Sequence, residues 1–409
     1  MNGTAPQARD LPVTWTETEN VLWRTKLPSW SAATPIVWGD TVFITSAEEG
    51  FVPLRPAGKN RAPSEGVGPD RIFIFAINRK DGSIRWQRQI DSGNQIFNKQ
   101  NSASPSPITD GRHVWIMTGN GKFICFTIDG KEIWRRDIQA DYGRFGLNHG
   151  YASTPLLFGG RLYVQVLHGM KTDDPSYIFA VQPATGKTIW KVERPTDAVR
   201  ESPDNYATPQ TVLVAGRTQL VISGGDYVTG HDLDTGEELW RMGGFNPTNN
   251  AANRTIASSL VIGGNIFTTS QRGRPFIGFR AGGRGNITGK NELWTNNFGA
   301  DVPTPTTDGK YIYVLNDIGY LNCIEPETGR IVYQGQRIHN GTFSASPLLA
   351  DGKIYAIDEE GTTTVVKAGP DFEILGSSHL DSRTLASPVA VDDQVFIRTS
   401  DHLYCIQKR

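Results

Sequence analysis

Scarcity carries the first information in this sequence. Three cysteines occur in 409 residues, with no Cys-x-x-Cys spacing, which excludes a zinc–thiolate centre and c-type haem attachment. Neither sign of charge is in excess: 41 basic residues face 42 acidic ones, a net −1. A nucleic-acid binder would show a basic stripe, so no nucleic-acid partner is expected. No apolar run reaches the roughly 18 residues of a membrane-spanning helix, so no transmembrane segment is expected. The opening stretch, Met1 to Asp10, lacks a basic region followed by an apolar one. No signal peptide is expected in the numbered chain, which is compatible with one removed before numbering. Long stretches of helical period are missing as well. So are the serine-hydrolase elbow, the His-Glu-x-x-His zinc motif, the phosphate loop and the dinucleotide fingerprint. No catalytic residue and no metal ligand is assigned.

Turn residues, by contrast, are abundant: 44 glycines and 24 prolines exceed the average share of roughly 12 %. With 38 % hydrophobic residues and ten tryptophans the chain can still bury a core. The turns recur in register. A small residue, a Ser or Thr, then Pro and an apolar run appear at Ala33-Thr34-Pro35, Ser153-Thr154-Pro155, Ala207-Thr208-Pro209, Ala345-Ser346-Pro347 and Ala386-Ser387-Pro388. Looser copies are Ser106-Pro107, Thr304-Pro305 and Ser258-Ser259, making eight. Each copy continues through a Gly/Asp turn, a β-branched run such as Val42-Phe43-Ile44, a variable loop, a third run and a fourth. The fourth follows a Gly turn and carries Trp: Gly82 to Trp86, Gly186 to Trp190, Gly236 to Trp240. Trp134 and Trp294 fill the same slot, and Tyr333 and Leu375 stand in for it in copies six and seven.

Four short antiparallel strands repeated eight times predict an all-β fold, an eight-bladed β-propeller of four-stranded blades. The last copy holds only three strands, ending at His402 to Ile406, and the missing Trp strand stands at the start, in Asn20 to Arg24. The N-terminal strand is therefore expected to complete the last blade and close the ring, protecting two sheet edges. The whole forms one domain, 12–409, with 46–70 as a long loop insertion in the first blade.

The spacing Ala76…Gly82…Trp86, repeated as Ala180…Gly186…Trp190, resembles the tryptophan-docking motif of the pyrroloquinoline-quinone (PQQ) repeat family. The resemblance covers about residues 20–406, and it implies BamB-type scaffold propellers on one side and quinoprotein alcohol dehydrogenases on the other. Cys125, Cys323 and Cys405 occupy or adjoin the small-residue slot of Ala76 and Ala180 in three different blades. They read as buried small residues rather than a disulfide.

In this strand order the variable second-to-third loops and the between-blade connections share one face, where specificity is usually carried. The connections lead to the axis. They carry Asn101, His149, Tyr151, Asn205, Arg254, Asp301, Asn340 and Arg383, a set able to line a funnel and hydrogen-bond a polar ligand. Two loops elaborate the face: Ser46 to Asp70, with Glu48, Glu49, Arg55, Lys59 and Arg61, and Leu167 to Ser176, with His168, Asp173 and Asp174. The family's dehydrogenases hold PQQ and calcium on the axis beneath an adjacent Cys-Cys pair, which this chain lacks. Glu201, Asn253 and Asp301 are the residues that would imitate a calcium site. No cofactor is assigned, PQQ and calcium being what an enzyme would need.

The expectation is an extracytoplasmic, non-catalytic scaffold, periplasmic or secreted as the resemblance implies, binding a protein or glycan partner through the long-loop face. The alternative is an enzyme using the axial funnel, either a divergent PQQ-dependent oxidoreductase or a carbohydrate-active propeller. A WD40-like module is disfavoured by the missing WD and GH signatures.

Overall fold

A computed structural model describes residues 3–48, 65–67, 71–97, 99–270 and 275–409, with 65–67 as backbone alone. Eight antiparallel four-stranded sheets form the ring, seven built from strands that follow one another along the chain and the last from three C-terminal strands and an N-terminal one, and two of the eight carry an extra strand. The first blade is Ile36–Trp38, Thr41–Ala47, Arg71–Asn78 and Ile84–Ser92. In each blade a short innermost strand follows the Ser/Thr-Pro element, and the two middle strands are almost wholly buried. Apolar residues on both faces of the middle strands are what a blade packed between two neighbours requires. Among the described residues no helix is long and apolar enough to cross a membrane.

The ring closes as the repeat count predicts. Val21–Lys26 pairs antiparallel with His402–Gln407, Trp23 lying opposite Cys405. A fully buried cation secures this seam: Arg398 Nη1 and Nη2 donate to the carbonyls of Ser31 and Ser29 at 2.8 and 2.7 Å. Burial without a carboxylate at hydrogen-bond distance pushes the Arg398 guanidinium down.

The docking motif has a simple steric basis. The indole of one blade lies on the glycine of the next blade's outer turn: a Cβ on Gly82 would stand 2.7 Å from Trp23. The same approach recurs for Gly130 with Trp86, Gly186 with Trp134, Gly236 with Trp190 and Gly329 with Trp294. The indole N–H groups complete the join by donating to carbonyls there, Trp23 to Arg79, Trp86 to Ile128, Trp190 to Leu233 and Trp294 to Pro326. Within its own blade each ring packs over the small-residue slot. Cys125 opposes Trp134 and Cys323 opposes Tyr333, and burial pushes all three thiols up to about 12.

Blade seven departs from the pattern. Leu375, expected in its docking slot, sits on the β-bulge, and the residue opposite Val365 is Gly376. The space is taken by the N-terminal segment: Val13 O and Thr14 Cγ2 come within 2.5 and 2.8 Å of where a Gly376 Cβ would be. Trp15 is buried beside it, its backbone N–H donating to Ser378 Oγ at 2.8 Å. Further upstream, Thr4–Ala5 adds a parallel strand to the inner edge of the same blade at Leu349 and Ala350. The ordered strap thus begins before residue 12.

Most of the first-blade insertion (49–64 and 68–70, with Glu49, Arg55, Lys59 and Arg61) lies outside the described residues. Its strand Glu65–Val67 pairs with Gln95–Phe97, which pairs in turn with Gln100–Asn101, building a small extra sheet from the insertion and the blade one–two connection.

Candidate functional site

The innermost elements meet around the axis through a girdle of hydroxyls. The backbone N–H of one Ser/Thr-Pro element donates to the side-chain oxygen of the next: Thr34 to Ser106, Ser106 to Thr154, Thr208 to Ser258, Ser258 to Thr304, Thr304 to Ser346 and Ser346 to Ser387, at 2.9–3.2 Å. The repeated hydroxyl therefore has a structural task, satisfying a backbone donor that lies beside a proline. Five members of this girdle border two cavities, one on each side. The cavity on the short-turn side, about 480 Å³, is lined in part by Gly3, Thr4 and Ala5. The one on the long-loop side, about 470 Å³, carries the ionisable groups.

Of the eight residues expected to line a funnel, His149, Arg254 and Asp301 line this cavity. Arg383 stands beside it, its guanidinium 3.3 Å from Glu359 Oε2. The other four are elsewhere. Asn101 is buried under its own loop, donating to Trp30 O at 2.8 Å and accepting from Ala103 N–H at 3.1 Å. Asn205 is buried and bonds Gln165, Ser223 O and the N–H of Ala207. Tyr151 packs in the core between blades two and three, and Asn340 is exposed and outside the cavity lining. In these asparagines the turn-forming role of the side chain took the position that periodicity had offered to the axis.

Two charged clusters face the cavity. In one, Glu201 Oε1 meets His149 Nε2 at 3.3 Å, Arg254 Nη1 at 3.6 Å and the Asn148 amide at 3.1 Å. Burial and then the Arg254 charge push the His149 imidazole down, against the pull of Glu201. In the other, Lys99 Nζ donates to Glu359 Oε1 at 2.5 Å, where Ser344 and Arg383 also converge. Lys99 comes from the blade one–two connection and Glu359 from blade seven, so this pair spans the axial mouth. Asp301 and Asp317 form a third wall: the Asp301 N–H donates to Asp317 Oδ2 at 2.9 Å, and burial pushes the Asp317 carboxyl up. Lys99, Gln100, Asp317 and Glu359 were not among the expected site residues. Only the blade-to-blade reach of Lys99 unites them, and a linear sequence holds no signal for it. His168, in the second elaborated loop, is a buried structural group, its Nδ1 accepting from Gly146 N–H at 3.0 Å.

Two buried polar atoms at this cavity have no hydrogen-bond partner, Gln100 Oε1 and Arg254 Nε. One accepts and one donates, so the cavity suits a small polar group bearing both functions. PQQ and calcium do not fit it. Calcium takes six to eight oxygens, yet Glu201 is engaged as above and Asn253 donates its amide to Asp226 Oδ1 at 3.0 Å. Among the described residues no three His, Cys, Asp or Glu side chains converge on a metal position. No tryptophan lines the cavity to carry a planar quinone, and the cysteines are buried singly in separate blades.

Comparison with known proteins agrees with the fold. The family described as outer membrane protein assembly factor BamB matches residues 73–335. The BamB of Yersinia pestis is 24% identical over 302 residues, covering 72% of this chain and 67% of that protein. Among solved structures, BamB from Moraxella catarrhalis superposes with a TM-score of 0.60 at 14% identity, over 95% of this chain and 98% of that one. The quinohemoprotein alcohol dehydrogenase of Comamonas testosteroni gives 0.64 at 12% identity, over 97% of this chain and 78% of its own.

Proposed function

The chain belongs to the family of the outer membrane protein assembly factor BamB, and from that premise we propose that it is a non-catalytic, periplasmic scaffold that holds a protein partner on its long-loop face during outer membrane protein assembly. The observation that carries the reading is the state of the axial charges. Glu201 is paired with Arg254 and Glu359 with Lys99 and Arg383, which suits an electrostatically closed platform better than a reaction centre, where perturbed groups stay available. The unpartnered Gln100 Oε1 and Arg254 Nε would receive one polar side chain or backbone amide of the partner.

The test is genetic. Removing the gene from its organism should lower the outer membrane protein content, and the wild-type chain should restore it. An unchanged content refutes the scaffold reading. A second reading, an enzyme in the axial cavity, draws on the same orphaned pair, which a polar substrate would also satisfy. Turnover of a polar substrate by the purified chain, lost in Arg254→Ala with the melting temperature kept, would establish it.

A further inference from the structure

A second depression, about 770 Å³, lies on the long-loop face beside the small extra sheet, between the connections that follow blades one and two. Its ionisable groups are unevenly committed. Asp137 is held by Lys122 and caps the helix Ile138–Tyr142 through Ala140 N–H, and Asp91 accepts from Thr118 Oγ1 at 2.6 Å. Asp137 is thus paired with a cation, while Asp91 keeps its charge. Among the described residues, Arg144 is exposed without a hydrogen bond or ion pair, and Lys171 Nζ reaches only the Asn148 carbonyl at 2.8 Å and the Phe97 ring. Between them lie Phe97, Phe145 and Leu147.

We propose that this groove binds an acidic peptide segment of the protein partner, its carboxylates meeting Arg144 and Lys171 and an apolar side chain resting between them. Charge complementarity sets the sign of the ligand: with Lys122 paired to Asp137, the two cations Arg144 and Lys171 outnumber the one remaining carboxylate, Asp91. The rings decide between a peptide and a glycan. Sugar recognition needs an open aromatic face, but Phe97 is covered by Gly150 on one side and Lys171 on the other. Phe145 is packed against Tyr151 with centroids 5.0 Å apart. The partly buried edges of Phe97 and Phe145 remain, a surface for aliphatic or aromatic peptide side chains, with buried Leu147 as its floor. A volume of this size is within the roughly 300–1,000 Å³ of ordinary ligand sites.

The inference rests on the protein-scaffold reading and narrows it to one groove. The test uses the full chain and a fluorescein-labelled peptide of alternating glutamate and leucine, with a lysine–leucine peptide and an acidic polysaccharide as separate arms, read by fluorescence anisotropy. The glutamate peptide should bind, weaken as salt rises, and lose roughly tenfold or more in affinity with Arg144→Glu or Lys171→Glu. Hydrogen exchange should slow at 92–97 and 144–151 on binding. Arg144 has no partner to lose, so its variant should keep the wild-type melting temperature and remain informative if Lys171→Glu does not fold. Equal binding of the lysine peptide, preference for the polysaccharide, indifference to both reversals, or no binding overturns the inference. None of these touches the genetic test of the scaffold reading, so the two can fail separately.

Discussion

Trp23→Ala probes the one place where this ring is closed without a covalent bond. Trp23 is 8% exposed, lies opposite Cys405 in the closing ladder and has its ring centroid 6.0 Å from Phe396. On its other side it covers Gly82 and donates to Arg79 O. Removing a buried tryptophan costs about 3–5 kcal/mol. For a 409-residue chain melting as one unit, an unfolding entropy near 2.1 cal/mol/K per residue turns about 4 kcal/mol into a fall of about 5 °C. Trp86→Ala is the control. It removes an equivalent docking ring, with Gly130 beneath it and Ile128 O accepting, in a blade whose four strands follow one another along the chain. Both variants should lose similar heat stability by calorimetry. Only Trp23→Ala should also let the His402–Gln407 amides exchange rapidly below the melting transition, because only there does the weakened contact hold two chain ends together. Equal protection of these amides in the two variants would refute the clasp argument.

Two further outcomes follow from individual residues. Asp204 is fully buried, and burial raises its carboxyl from an ordinary 3.8 to about 6 despite three backbone N–H donors. The folded state then holds its proton more tightly than the unfolded state, so this contribution is greatest below about 4 and is lost as pH climbs through about 6. That amounts to about 3 kcal/mol. Denaturant titrations of wild type and Asp204→Asn between these limits should converge at low pH and separate as pH rises, and parallel curves would contradict the assignment. Gly376→Ala inserts a methyl group against Val13 and Thr14 and should loosen the N-terminal strap, accelerating tryptic cleavage at exposed Arg9. An unchanged cleavage rate would show that the strap does not depend on that slot.

The architecture was legible because its causes are local and repeated. A Ser/Thr-Pro element, a Gly/Asp turn and a Gly-to-Trp spacing mean the same thing each time they occur. The missing fourth strand of the last copy pointed directly to Val21–Lys26 as its replacement. The axial site was legible only in part, for an equally physical reason. Sequence position marks which connections approach the axis, but a one-residue rotation decides whether a side chain enters the cavity or turns back to cap its own loop. His149 and Arg254 enter; Asn101 and Asn205, short amides with backbone groups in reach, turn back. The partner of Lys99 could not be read at all, since Glu359 lies 260 positions away along the chain.

Blade seven joins these two lessons. A repeat fold fails in sequence where one copy lacks a side chain, and the gap must be filled from somewhere or left as a cavity. Here Gly376 marks the gap, and Val13, Thr14 and Trp15 fill it from the far end of the chain. The same segment continues to Thr4–Ala5 at the mouth on the short-turn side and, in the other direction, to the clasp strand. The departure from the motif is thus the point where the strap is anchored: a tryptophan at position 376 would occupy the space that Val13 and Thr14 now take, and would leave the strap without its seat. Closure of the ring, filling of blade seven and part of the lining of one axial cavity all come from this single N-terminal segment.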